Sequence, residues 1–179
     1  MNILIIRRDN IGDLLCTTPL IRGIKQQLKI DRLDVVTNAY VAPVLKGHHD
    51  VDQLYIYHKL KHGRISFFNL IMERLRLIFN LRRHHYDYIL AFDKRALNLA
   101  RFLRKTKVLT PIEDWTEQTE VERAWELGQR LGLKGSAGPL VLPRHLYDPK
   151  TNKKDNHILG IHISARRIKQ QYPVTQWVA

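Results

Sequence analysis

The chain has 179 residues, 44% hydrophobic and 26% charged, and its 30 Lys and Arg against 17 Asp and Glu leave a formal net charge of +13. This composition excludes an intrinsically disordered chain, and no apolar run reaches the ~18 residues that span a bilayer. Cys16 is the single cysteine, which excludes an internal disulfide framework and a Cys-based zinc site. Charge follows the short apolar run after Met1 at once, so no secretory signal is read and a cytoplasmic location is expected. The positive surplus favours a polyanionic partner: nucleic acid, an anionic membrane surface or a phosphorylated substrate.

Residues 2–7 (NILIIR) form a β-branched, Leu-rich run, which predicts a central parallel strand covered on both faces. A helix is expected over 12–28, where Leu14, Leu15, Thr18, Ile21 and Ile24 recur at helical spacing. Pro19 predicts either a kink or a short first turn with a restart near Leu20. Next come a strand at 32–37, a short helix at 39–46 and a strand at 53–57. The basic loop 58–64 leads into the longest helical pattern, 65–83, with Phe68, Ile71, Leu75, Ile78 and Phe79 expected on its buried face. A fourth strand (86–92), a helix (96–104), a short strand (107–109) and a helix (117–131) stopped by Gly132 complete the alternation. The predicted fold is α/β, a Rossmann-like doubly wound parallel sheet.

Residues 134–156 break that pattern with Gly135, Gly138, Pro139, Pro143, Pro149 and a polar run. They are expected to link a first domain, 1–133, to a second that begins at 157. The fresh strand 157–164 (HILGIHIS) cannot bury its own faces, so 157–179 is expected as the truncated start of that second domain.

In a doubly wound sheet, ligands sit beyond the carboxyl ends of the strands. Arg8–Asp13 occupies that place after the first strand, with Gly12 as its one glycine and therefore no GxGxxG fingerprint. Asp13 in a first helical turn meets the helix dipole favourably, and Asp9 and Asn10 suit turn or cap positions. Taken alone, these residues leave a capping role and a ligand-facing role both open.

Three segments resemble glycosyltransferase family 9, the bacterial heptosyltransferases of lipopolysaccharide core synthesis. They are "ILIIRRDNIGDLLCTTPLIRGIK" with Gly12-Asp13 and Thr17-Thr18-Pro19, "TEVERAWELGQRLGL" at 119–133, and "IHISARRIKQQYPVTQWVA" at 161–179. The resemblance implies the first half of a two-domain GT-B type enzyme, with the acceptor bound mainly by the first domain and a nucleotide-sugar mainly by the second. It implies an inverting transfer with Asp13 as general base, Asn10, Gly12 and Thr17 near the acceptor, and ADP-heptose as substrate without any cofactor. It also implies a mobile basic loop, here Lys59, Lys61 and Arg64, that meets a phosphorylated lipopolysaccharide core. In the second domain, the family's Lys three residues before Pro is Gln170 here, which shifts the expected donor-phosphate contacts to Arg167 and Lys169, with Ser164 donating a hydrogen bond.

Arg74 and Arg76 read as a solvated helix face. The alternation of apolar and basic faces on that helix also suits peripheral contact with the inner membrane surface. His48-His49 and His84-His85 are not expected to bind metal, because neighbours on a strand or helix point apart. Trp115 and Trp125 are expected at the domain edge and Cys16 in the core. The competing reading is a non-catalytic basic Rossmann-like module for nucleic acid or membrane. Nucleic acid is disfavoured, since Phe67, Phe68 and Phe79 fall at core-like positions rather than on a stacking platform. A third reading is a gene fragment without independent function.

Overall fold

The computed structural model describes residues 1–58, 67–103, 106–112 and 118–143. All of these fall in the compact unit Met1–Tyr147. Lys59, Lys61, Arg64, Trp115, Ser164, Arg167 and Lys169, with the whole of 157–179, lie outside the described residues.

Five parallel strands, β1 (Asn2–Ile6), β2 (Arg32–Asn38), β3 (Gln53–Tyr57), β4 (Tyr88–Ala91) and β5 (Lys107–Leu109), lie in the order β3-β2-β1-β4-β5. The chain winds outward from β1 in one direction and then crosses to β4 and β5 on the other side. The order therefore reverses between β1 and β4, and a crevice opens there at the carboxyl ends of the strands.

The pleat sends alternate residues of β1 into two cores. Ile3 and Ile5 pack with Leu14, Ile21, Ile24 and Trp125, whereas Leu4 and Ile6 pack with Leu77, Leu81 and Leu99. The first layer is built by α1 (Ile11–Cys16), α2 (Thr18–Gln27) and α5 (Glu120–Leu131), and the second by α3 (Phe67–Arg82) and α4 (Lys94–Ala100). Among the described residues no helix is long and apolar enough to cross a membrane.

The expected 12–28 helix is two helices that meet at Thr17, with Pro19 at the start of α2, where a missing N–H leaves no bond unmade. The short helix expected at 39–46 is only a 3₁₀ turn, Ala42–Val44, because Pro43 removes a donor from a segment too short to propagate. Helix α5 begins with a capping box between Thr119 and Glu122 and ends at Gly132, whose φ of 108° suits a residue without Cβ.

Helices α2 and α5 approach at two glycines. A Cβ on Gly23 would lie 2.5 Å from the Trp125 ring, and one on Gly128 would lie 2.4 Å from Leu133 Cδ1. Trp125 is thus not at an edge; it fills the seam between the helices, and its Nε1 donates to the Gly135 carbonyl at 2.8 Å. The start of the segment expected to be a linker also lies against this layer. Lys134 N donates to Gln27 Oε1, and Val141 N donates to Thr18 Oγ1, both at 2.9 Å. Cys16 is partly buried rather than enclosed in the core.

Helix α3 is rotated from its expected orientation, and of the face expected to be buried only Ile78 packs against the core. Leu77 and Leu81 face the sheet, while Phe68 (67% exposed), Leu75 (54%) and Phe79 (62%) face outward with Ile71. The helix carries two apolar stripes, and periodicity alone cannot say which one meets the core. Phe68 and Phe79, expected at core positions, therefore stand at the surface.

Candidate functional site at the carboxyl edge of β1

Strand β1 runs out of apolar residues at Arg7-Arg8, still paired to β2 through the bond from Arg7 N to Val36 O at 3.0 Å. Period two sends these guanidinium groups to opposite faces of the sheet. Arg7 turns to the α1–α5 side, where it is buried over the Phe92 ring at 4.5 Å. It meets three carboxylates there: Glu120 at 2.6 Å, Asp9 at 3.3 Å and Asp13 at 3.6 Å. A buried guanidinium needs such partners, and each carboxylate, about a third exposed, keeps one side open to solvent. Glu120 reaches this point because α5 is held on α2, and Arg123 braces it at 3.1 Å one turn along.

These groups line a cavity of about 760 Å³ that opens between β1 and β4, with Asp93 and Lys94 on its far wall. Asp13 is positioned by its own helix start. Its Oδ2 accepts from the Asn10 backbone N–H and side-chain amide, both at 3.1 Å, while Oδ1 is turned to Arg7. One oxygen therefore caps the helix start, and the side chain also lines the cavity. Burial raises the Asp9 carboxyl above the usual carboxylate range; Arg7 opposes the shift, and the carboxylates of Asp93 and Asp13 add to it.

Asn10 and Gly12 are exposed beside the cavity. A Cβ on Gly12 would meet nothing within 4 Å, so the fold itself does not require glycine there. Thr17 is placed differently from the acceptor contact expected of it. It is fully buried, and its hydroxyl donates to the Asp13 carbonyl oxygen at 2.9 Å, so it fastens the α1–α2 joint. Arg7 and Glu120 were missed from sequence. The signal for Arg7 was a pair of arginines ending an otherwise apolar strand, but the partnership with Glu120 spans 113 positions and leaves no local trace.

The pair His48-His49 does not point apart as expected. His48 and His49 lie in a loop, where neighbours need not diverge, and their rings stack at 5.1 Å. Asp50 Oδ2 is 3.2 Å from His49 Nε2 and 4.0 Å from His48 Nδ1, so the three form a cluster with ligand-like spacing. A side-chain cation already serves it: Arg22 lies 3.6 Å from Asp50 and 3.5 Å from His49.

No protein-family model matches the sequence, and no curated protein matches it. Solved structures do. A glycosyl transferase family 9 protein from Veillonella parvula superposes with a TM-score of 0.75 at 14% identity, covering 98% of this chain and 57% of that one. E. coli heptosyltransferase WaaC with ADP gives 0.61 at 20% identity, over 75% and 48% of the two chains. E. coli ADP-heptose lps heptosyltransferase II gives 0.56 at 21% identity, over 80% and 46%. The chain thus shares the fold of one half of these GT-B-like enzymes and spans about half their length.

Proposed function

We propose that this chain is the acceptor-binding half of an inverting glycosyltransferase that moves a heptose from ADP-heptose to the lipopolysaccharide inner core. The observation that carries the reading is Asp13, a carboxylate with one oxygen fixed by Asn10 and the other presented at a large cavity at the switch point of the sheet. Support for the donor class comes from the similar WaaC structures, which hold ADP and an ADP-2-deoxy-2-fluoro heptose.

An acceptor hydroxyl in the cavity would hydrogen-bond Asp13 Oδ1. Its oxygen lone pair forms the bond to the anomeric carbon while the carbon–oxygen bond to the diphosphate breaks, and ADP leaves with that electron pair. The hydroxyl proton passes to Asp13. A carboxylate is a weak base toward an alcohol, so transfer comes late, when positive charge on the sugar has acidified the attacking oxygen. Arg7 is a positioning residue: it gathers Asp13, Asp9 and Glu120 around one guanidinium and neutralises part of their charge. Lys59, Lys61 and Arg64 would meet the acceptor's phosphates, and Ser164, Arg167 and Lys169 the donor's. A contact with the inner membrane surface, where such an acceptor is anchored, belongs to the same reading.

The test follows ADP release by the native gene product, with deacylated lipopolysaccharide core as acceptor. Asp13→Ala is expected to lower kcat by about 10²–10⁴-fold and to change acceptor Kd by less than about threefold. Near-normal turnover would leave Asp13 a helix cap. A wild-type protein that releases no ADP but binds random oligonucleotides in a salt-dependent way would favour the binding module.

A further inference from the structure

Among the described residues, the second arginine at the end of β1 has no counterpart to the carboxylate cage around Arg7. Arg8 turns to the α3–α4 side and is 4% exposed. Its guanidinium lies over the Tyr57 ring at 4.3 Å, and Nη2 is 3.6 Å from Asp93 Oδ1, too long for a hydrogen bond. Its Nε is buried without a hydrogen-bond partner. Asp93 is engaged elsewhere, since it caps α4 by accepting from the Ala96 N–H.

Around Arg8 the fold gathers more positive charge. Arg74 of α3 lies over the same Tyr57 ring at 5.5 Å. Arg95, in the first turn of α4, joins Arg8 and Arg74 in lining a cavity of about 230 Å³ whose other walls include Leu77, Leu99 and Phe102. Among the described residues, the charged members of that lining are all arginines. Set against the Asp93 carboxylate beside Arg8, they leave a surplus of about two positive charges. Arg8 is buried against apolar walls while Arg74 and Arg95 stand exposed at the rim, so like charges gather at one mouth and repel one another, and an anion there would relieve the repulsion. A phosphate monoester carries about two negative charges near neutral pH and accepts several hydrogen bonds at once. Planar guanidinium groups match that geometry.

We propose that the Arg8–Arg74–Arg95 pocket is a binding site for a phosphate monoester, built by the second face of the same strand end that builds the Asp13 cavity. Asp93 lines the Asp13 cavity and touches Arg8, so the two sites share a wall. On the transferase reading, which this last step rests on, the pocket takes a phosphate of the acceptor, carried by its sugar or by its lipid end.

The test needs neither donor nor transfer, so its failure is distinct from failure of the transferase reading. The full chain is titrated by calorimetry and two-dimensional NMR with glucose 6-phosphate, with dihexanoyl phosphatidic acid and with glucose. Saturable binding of at least one phosphate ligand but not of glucose is expected, with shifts at Tyr57. Arg74→Gln and Arg95→Gln, both exposed and away from the Asp13 cavity, are each expected to weaken it about tenfold. The preferred ligand identifies a sugar phosphate or a lipid headgroup as the source. Absence of binding to both, or binding unchanged in both variants, would overturn the proposal and leave Arg8 held by Tyr57 and Asp93 alone.

Discussion

Two neighbouring arginines show how one residue of offset sets chemistry. Arg7 and Arg8 share a strand end, but the pleat gives the first three carboxylates and the second an aromatic ring and two more cations. The sequence shows both arginines, yet it does not show their partners, which come from α1, α3, α4 and α5. Asp9 is where the crowding of acids is felt most. Its pKa is raised, by burial first and by Asp93 and Asp13 next, with Arg7 pulling the other way. The folded state therefore holds this proton more tightly than the unfolded chain does. That contribution to stability is full below the unfolded value near 3.8 and is lost as pH rises through the folded pKa. Asp9→Asn is accordingly expected to stabilise the protein at pH 7 and to leave it unchanged near pH 3.5. Urea midpoints at the two pH values check this, and equal shifts at both would show that Asp9 acts through packing instead.

At the scale of the element, what was legible depended on how many faces a pattern offered. Strand β3, with its QLYIY run, has the predicted bounds, and Pro19 signalled the interruption of the expected 12–28 helix, although α2 restarts at Thr18 rather than near Leu20. Helix α3 was legible as a helix and misread in rotation, because Leu77 and Leu81 make a stripe as apolar as Phe68, Leu75 and Phe79 do. Tertiary packing against Leu4 and Ile6 of the sheet settled which stripe is buried. Leu81→Ala should destabilise by about 2–5 kcal/mol, whereas Phe79→Ser should change stability by less than about 0.5 kcal/mol. Thermal or urea unfolding of the pair checks this; a large loss in Phe79→Ser would mean that the outward stripe is covered in the folded protein.

At the scale of the molecule, core packing and the site are coupled through α5. Gly23 and Gly128 let α5 lie close on α2, which brings Glu120 to Arg7 and fixes the electrostatics around Asp13. In Gly128→Ala the added methyl would press on Leu133 and Leu20, at 2.4 Å and 2.6 Å, before any relaxation. Overpacking of this kind typically costs about 1–3 kcal/mol. The expected result is a lower Tm together with a weaker Arg7–Glu120 contact, read as a shifted Arg7 Nη2 resonance; an unchanged Tm would show that the leucines yield freely.

The sequence by itself determined the alternation of strands and helices, the parallel sheet and the placing of Gly12-Asp13 at a carboxyl edge, because these follow from local period, turn residues and chain connectivity. Tertiary structure alone decided which stripe of α3 is buried, that Thr17 is a fastening rather than a contact, and which charges meet Arg7 and Arg8. Those outcomes depend on groups far apart in the chain that come together only when the sheet is covered on both faces. A buried charge is defined by such neighbours, and no local pattern carries them.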